Sequence, residues 1–205
     1  RDHPGREEIL AHHDTNWDCV VRAITGSIPD GKSIYFQKHM AHHLPQDLPA
    51  DVDAADARLS FLDRLTLVLL IRDPREVLVS LSKVLAHITI EETGLPQQLW
   101  LWRRLTGRGV SVPIVDARDV LENPPRILEK LCGAVDVAFD PAMLHWKNGL
   151  RHTDGVWAKH WYANVENSTG FEPYRPKNEQ VPDHLLSVLD QCYAIYVTLH
   201  DHRLQ

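Results

Sequence analysis

The sequence predicts an α/β fold with three layers, a parallel sheet flanked by helices. Three observations predict it. Residues 65–71, LTLVLLI, form an apolar run interrupted only by a threonine; strands buried on both faces read this way, and parallel sheets under helices bury both faces. A helix start follows at once, with Asp73 suited to the N-cap, Pro74 to the first helical position and Glu76 at capping-box spacing. Strand-like and helix-like segments then alternate, which is the α/β signature.

In chain order, residues 6–12 and 16–24 have helical spacing, with a break near Asp14. Residues 26–31 form a turn-rich loop containing Pro29. Residues 33–40, SIYFQKHM, combine β-branched and aromatic side chains and are expected as a strand. Residues 41–56, with Pro45, Pro49 and an acidic run over 47–56, are expected as a solvated loop. The helix opening at Asp73 carries the apolar stripe Val77, Leu78, Leu81, Val84 and Leu85. A helix is expected over 95–105. Residues 110–115 of VSVPIVDA are expected as a further strand, edge or irregular because of Pro113. Asn123 caps a helix over 124–132, and helices are expected over 155–168 and 182–200. No internal repeat or low-complexity segment interrupts this order.

The 205 residues suit a single domain, 1–205. A net charge of -6, from 22 basic and 28 acidic residues, argues against a broad nucleic-acid-binding surface and leaves room for a local basic pocket. The 3 cysteines are far apart in sequence and form no C-x-x-C, so neither a disulfide framework nor a zinc site is expected, and the default compartment is a reducing cytoplasm. No apolar run is long enough to span a bilayer and the first ten residues hold no signal-peptide core, so no membrane partner is expected. The oligomeric state stays open. Metal ligands need convergent geometry and usually a supporting carboxylate, and adjacent histidines on irregular backbone rarely converge, so no metal is expected on His39, His42 and His43 or on His12 and His13. Trp100, Trp102, Trp157 and Trp161 sit in helical context and are expected to pack.

Residues 26–33, GSIPDGKS, fit the phosphate-loop pattern G-x-x-x-x-G-K-[ST] letter for letter. That loop needs a strand before it and a helix after it, whose N-terminus supplies amides and dipole. Here a helix precedes Gly26 and strand-like residues follow Lys32, so Lys32 is not expected to bind a nucleotide.

Residues 71–80, IRDPREVLVS, sit where the buried strand meets its helix, and parallel sheets bind ligands beyond the carboxyl ends of their strands. Arg72 reaches that crevice and Ser80 lies eight positions on. Chemistry alone leaves two readings level: a phosphate clamp of fork-shaped cation and hydroxyl, or a solvated charge and a serine facing a neighbouring helix.

The placement of Arg72, Pro74, Val77 and Ser80 resembles the 3′-phosphate-binding element of PAPS-dependent sulfotransferases, where a strand ends in Arg-x-Pro or a close variant and a serine follows eight residues after the arginine. The resemblance implies a P-loop NTPase-like fold. It also implies that Arg72 and Ser80 hold the 3′-phosphate of 3′-phosphoadenosine 5′-phosphosulfate (PAPS), the co-substrate. Residues 37–45, QKHMAHHLP, are similar to the family's Lys-x-His-x-Pro-like segment, whose histidine is the catalytic base. His39 takes that role by resemblance, although it follows Lys38 directly, and His42 and His43 are the substitutes. Residues 151–161, RHTDGVWAKHW, resemble the late glycine-rich loop leading into a Trp-Lys helix that closes over the nucleotide; Gly155, Trp157 and Lys159 match. The pattern covers 33–171, about two thirds of the chain, and is especially similar to a bacterial group known only as sulfotransferase-like.

The activity implied is sulfuryl transfer from PAPS to a hydroxyl or amine of a small-molecule acceptor, with the acceptor's identity not implied. The alternatives are a non-catalytic nucleotide-binding relative and a P-loop kinase using residues 26–33. The family's 5′-phosphosulfate loop lies on a first strand, and nothing before Ser33 resembles it. The first residue is Arg1 rather than methionine. The expectation is therefore a chain that begins downstream of that loop, a processed product or a fragment, showing little or no transfer alone.

Overall fold

Helices α1 (Arg6–His12) and α2 (Trp17–Ile24) come first, the second started by the Asn16 side chain, which accepts the Cys19 amide at 3.0 Å. Strand β1 (Leu69–Ile71) runs straight into α3 (Pro74–Ser82), and α4 (Leu95–Gly107) returns the chain to β2 (Ile114–Asp116). Helices α5 (Ala117–Glu122) and α6 (Pro124–Ala134) follow β2, then the short α7 (Ala158–Trp161) and α8 (Ala163–Glu166), and finally α9 (Leu186–His200). This computed structural model describes residues 5–28, 31–45, 47–53 and 56–205.

The chain divides into two compact units, each assembled from separate stretches of sequence. One comprises Arg1–Lys38, Arg58–Leu65 and Ala142–Phe171. In it the Trp17 indole donates to the Arg58 carbonyl at 3.1 Å and meets the Phe61 ring edge-on, while Arg64 donates to the Thr25 hydroxyl and carbonyl at 3.1 and 2.6 Å. His145 and Gly170 form an antiparallel bridge, beside which Trp146 packs on Phe171.

The other unit comprises His39–Ala57, Thr66–Pro141 and Glu172–Gln205, and it contains the sheet. Strands β1 and β2 are parallel, with Leu69 opposite Ile114, Leu70 opposite Val115 and Ile71 opposite Asp116. Parallel neighbours need a long crossover, here supplied by α3 and α4. Ile71, Ile114, Leu78 and Leu199 are fully buried. A second apolar cluster joins Leu78 and Val79 of α3 to Ile88, Val181 and Leu185, with Val188 and Leu189 of α9 against it. No helix among the described residues is long and apolar enough to cross a membrane.

The fold is α/β with a parallel pair of strands, and it departs from the sequence expectation in several places. Among the described residues the sheet has two strands, not the three parallel strands of a three-layer arrangement. Residues 33–40 form no strand: Phe36 is 83% exposed, and the Gln37 amide donates to the Ile24 carbonyl at 2.8 Å. Strand propensity reports packing against neighbours, and among the described residues no strand lies beside this segment. The strands expected over 65–71 and 110–115 shorten to Leu69–Ile71 and Ile114–Asp116. Pro113 has no N–H for the ladder, but its carbonyl accepts the Leu69 amide at 2.9 Å.

The helix expected over 155–168 is broken at Tyr162 into α7 and α8. Trp161 is half exposed rather than packed, and Val84 lies past the end of α3 and is exposed. The 26–33 segment follows α2, and no helix begins directly after Lys32, so it lacks both neighbours a phosphate loop requires. Pro29 and Asp30 of that segment lie outside the described residues.

Candidate functional site

Both strands end the same way. Asp73, two residues past β1, caps α3 by accepting the Arg75 amide at 2.8 Å; Asp116, the last residue of β2, caps α5 by accepting the Arg118 amide at 2.7 Å. A short carboxylate at an N-cap satisfies an orphan amide and faces the positive end of the helix dipole. Because the strands are parallel and in register, both caps and both first helical turns come to one edge of the sheet. A cavity of about 70 Å3 opens there, lined among others by Arg72, Glu76, Arg118, Tyr174, Tyr196 and His200. A water needs roughly 10–15 Å3 of such space, so the cavity has room for several waters or one tetrahedral anion. A second cavity of about 180 Å3 adjoins it, sharing Asp73, Glu76 and Tyr174 and adding Arg75 and Lys177.

Arg72 grips Glu76, one helical turn on, through Nε at 2.7 Å and Nη2 at 2.5 Å. Glu76 is buried, and its other oxygen accepts the Tyr174 hydroxyl at 2.8 Å. Burial opposes ionisation of this carboxyl, but the hydrogen bonds from Arg72 and Tyr174 outweigh it and hold Glu76 below the usual carboxylate range. Glu76 therefore does not turn back to close a capping box. Arg118 repeats the arrangement on α5, with Nε 2.7 Å from Glu122, and its guanidinium lies 5.0 Å over the Tyr174 ring.

Helix α9 forms the back wall. Tyr193 donates to Asp73 at 3.1 Å and Tyr196 to Asp116 at 2.7 Å, while Arg203, just beyond the helix, holds Asp119 at 2.7 Å. Burial, the charge of Asp73 and that hydrogen bond push the Tyr193 phenol up to about 12. Burial, with the hydrogen bond to Asp116, raises Tyr196 further. The wall carries more carboxylates than guanidinium groups, and Asp73, Glu76, Asp116 and Asp119 each already accept a hydrogen bond.

Of the residues singled out from sequence, Arg72 lines the cavity. Ser80 sits further along α3, exposed, and lines neither cavity. His39 is exposed on irregular chain just before a 3-10 turn at Ala41–His43, in which His42 and His43 stack edge to face. Lys159 lies on α7, in the unit without the sheet, ion-paired with Glu8. Sequence reasoning missed Arg118, Tyr174, Tyr196 and His200. For Arg118 a signal existed: Asp116 follows an apolar strand as Asp73 does, and Arg118 and Glu122 repeat the four-residue spacing of Arg72 and Glu76. For the two tyrosines and His200, which come from distant sequence, none did.

The cavity lies at the carboxyl edge of the parallel strands, with Arg72 just past the end of β1 and Arg118 on the first turn of α5, which is where parallel α/β sheets bind ligands. Comparison with protein families makes this specific: the sulfotransferase domain model matches residues 1–198, and the chain belongs to that family. It is also similar to two curated proteins of Arabidopsis thaliana. It is 27% identical over 201 residues to branched-chain-amino-acid aminotransferase-like protein 2, covering 98% of this chain and 34% of that protein. It is 29% identical over 202 residues to branched-chain-amino-acid aminotransferase-like protein 1, with the same coverage of 98% and 34%. The chain thus spans about a third of the length of these curated relatives. No solved structure matched the chain.

Proposed function

We propose that this chain serves sulfuryl transfer from PAPS to a hydroxyl or amine of a small-molecule acceptor. Membership of the sulfotransferase domain family supports the reaction class. The observation that carries the reading is Arg72, projecting from the end of β1 into the cavity at the sheet's carboxyl edge.

In this reading the acceptor's oxygen or nitrogen attacks sulfur. The bond from sulfur to the bridging phosphate oxygen breaks, and its electron pair leaves with adenosine 3′,5′-bisphosphate. His39 takes the acceptor's proton, a role suited to an imidazole near neutral pH. Arg72 holds the 3′-phosphate at this cavity. Phosphate binding draws Arg72 from Glu76 or shares it, since a guanidinium offers more donors than one carboxylate uses. The setting is cytoplasmic, which suits three cysteines that are thiols in the structure.

Calorimetry on the complete protein tests this. Wild type should bind adenosine 3′,5′-bisphosphate, and Arg72→Ala should weaken binding roughly tenfold or more, as loss of about 1.5–3 kcal/mol of charged hydrogen bonding does. His39→Ala should lower transfer by roughly 10²–10⁴-fold with nucleotide affinity kept. Absence of bisphosphate binding by wild type refutes the reading; binding without transfer leaves a nucleotide-binding relative; equal affinity of wild type and Arg72→Ala removes Arg72 from the site.

A further inference from the structure

Arg118, on the first turn of α5, repeats with Glu122 the four-residue pairing that Arg72, just past the end of β1, makes with Glu76. Ile71 pairs with Asp116, so the two chains leave the sheet side by side, Arg72 one residue past the end of β1 and Arg118 two past the end of β2. Both arginines line the same cavity. Each is steadied by a glutamate four residues on, Glu76 of α3 for Arg72 and Glu122 of α5 for Arg118.

Tyr174 links the pair. Its hydroxyl donates to Glu76, the partner of Arg72, and its ring lies beneath the guanidinium of Arg118. Tyr174 comes from the irregular segment before α9, so three separate stretches of sequence converge on one small space. Arg118 engages Glu122 through Nε, which leaves the outer edge of its guanidinium fork for a ligand. The four carboxylates on the cavity each accept hydrogen bonds from other groups: Asp73 from Tyr193, Glu76 from Arg72 and Tyr174, Asp116 from the Arg118 amide and Tyr196, and Asp119 from Arg203.

We propose that Arg118 is the second phosphate-binding cation of this cavity, held in place by Glu122 and Tyr174, and that it closes with Arg72 on the nucleotide's 3′-phosphate. Two planar forks approaching from neighbouring strands match the tetrahedral array of phosphate oxygens better than one fork and a hydroxyl. The assignment rests on the functional reading above and adds a ligand to it.

The test is calorimetric titration of the complete protein with adenosine 3′,5′-bisphosphate and with adenosine 5′-monophosphate, which lacks the 3′-phosphate. Wild type should prefer the bisphosphate. Arg118→Ala should cut that preference at least tenfold, and Arg118→Lys, which keeps the charge and loses the fork, should recover only part of it. Affinity for the monophosphate and the melting temperature should stay near wild type in Arg118→Lys. If wild type binds neither nucleotide, the sulfotransferase reading itself falls. If wild type binds the bisphosphate and Arg118→Ala binds it equally well, the assignment of Arg118 alone is overturned. Equal loss of both nucleotides in Arg118→Lys also overturns it, because that marks a structural role.

Discussion

Tyr196→Phe removes a single oxygen from the back wall of the cavity and isolates one interaction. Tyr196 donates to Asp116 at 2.7 Å, and Asp116 is 2% exposed at the end of β2. The ring remains, so packing changes little. What is lost is a short hydrogen bond to a buried carboxylate, a class that contributes about 1.5–3 kcal/mol. The Arg118 amide still serves the other oxygen of Asp116, so the expected loss sits mid-range, about 2 kcal/mol. Urea unfolding should show it as a lower midpoint with an unchanged slope, and the melting temperature should fall by roughly 4–8 °C. A double-mutant cycle with Asp116→Asn should return a coupling of similar size.

The same bond has a pH signature. Tyr193 and Tyr196 both have raised folded-state pKa values, Tyr193 up to about 12 and Tyr196 higher, so the folded state binds protons more tightly than the unfolded chain. Their contribution is complete below the unfolded phenol value of about 10 and is lost as pH rises through the folded values. Wild-type stability should therefore decline between about pH 10 and 12, and Tyr196→Phe should decline less steeply. A loss under about 0.5 kcal/mol, the range of ordinary surface substitutions, together with an unchanged alkaline slope, would refute the idea that this bond ties α9 to the strand end.

Two further expectations follow from the same unit. Glu76 has a depressed folded-state pKa, so its stabilisation is present above the ordinary carboxylate value and lost as pH falls through the lower folded value; the stability gap between wild type and Glu76→Gln should be widest near neutrality and narrow progressively below about pH 4. A gap independent of pH, measured by urea unfolding across that range, would count against the Arg72–Glu76–Tyr174 linkage. Leu78 has no exposed surface and packs among Val79, Ile88, Val181 and Leu185, so Leu78→Ala should destabilise by about 2–5 kcal/mol; a loss under about 1 kcal/mol would mean that this cluster is not a working core.

Local chemistry determined much of this protein. The apolar run ending at Ile71, the Asp73–Pro74 start of α3, the Asn123 cap of α6 and the stripe of α3 through Leu81 all appear as the residues predict, because caps and periodicity act over one or two turns and need no distant partner. The family was legible in the spacing of Arg72, Pro74, Val77 and Ser80, and so was the place of Arg72 at a strand end.

What required the third dimension was everything that depends on a neighbour. Residues 33–40 have strand propensity and no strand, since a ladder exists only where a second strand is present to complete it. The sequence makes Glu76 a capping residue, while the tertiary fold buries it and gives its carboxylate to Arg72 and Tyr174, the latter 98 positions away. Asp116 and Tyr196 meet across a separation of 80 residues. Only parallel pairing of β1 with β2 brings Arg72 and Arg118 to one cavity, because register converts two strand ends far apart in sequence into adjacent positions in space.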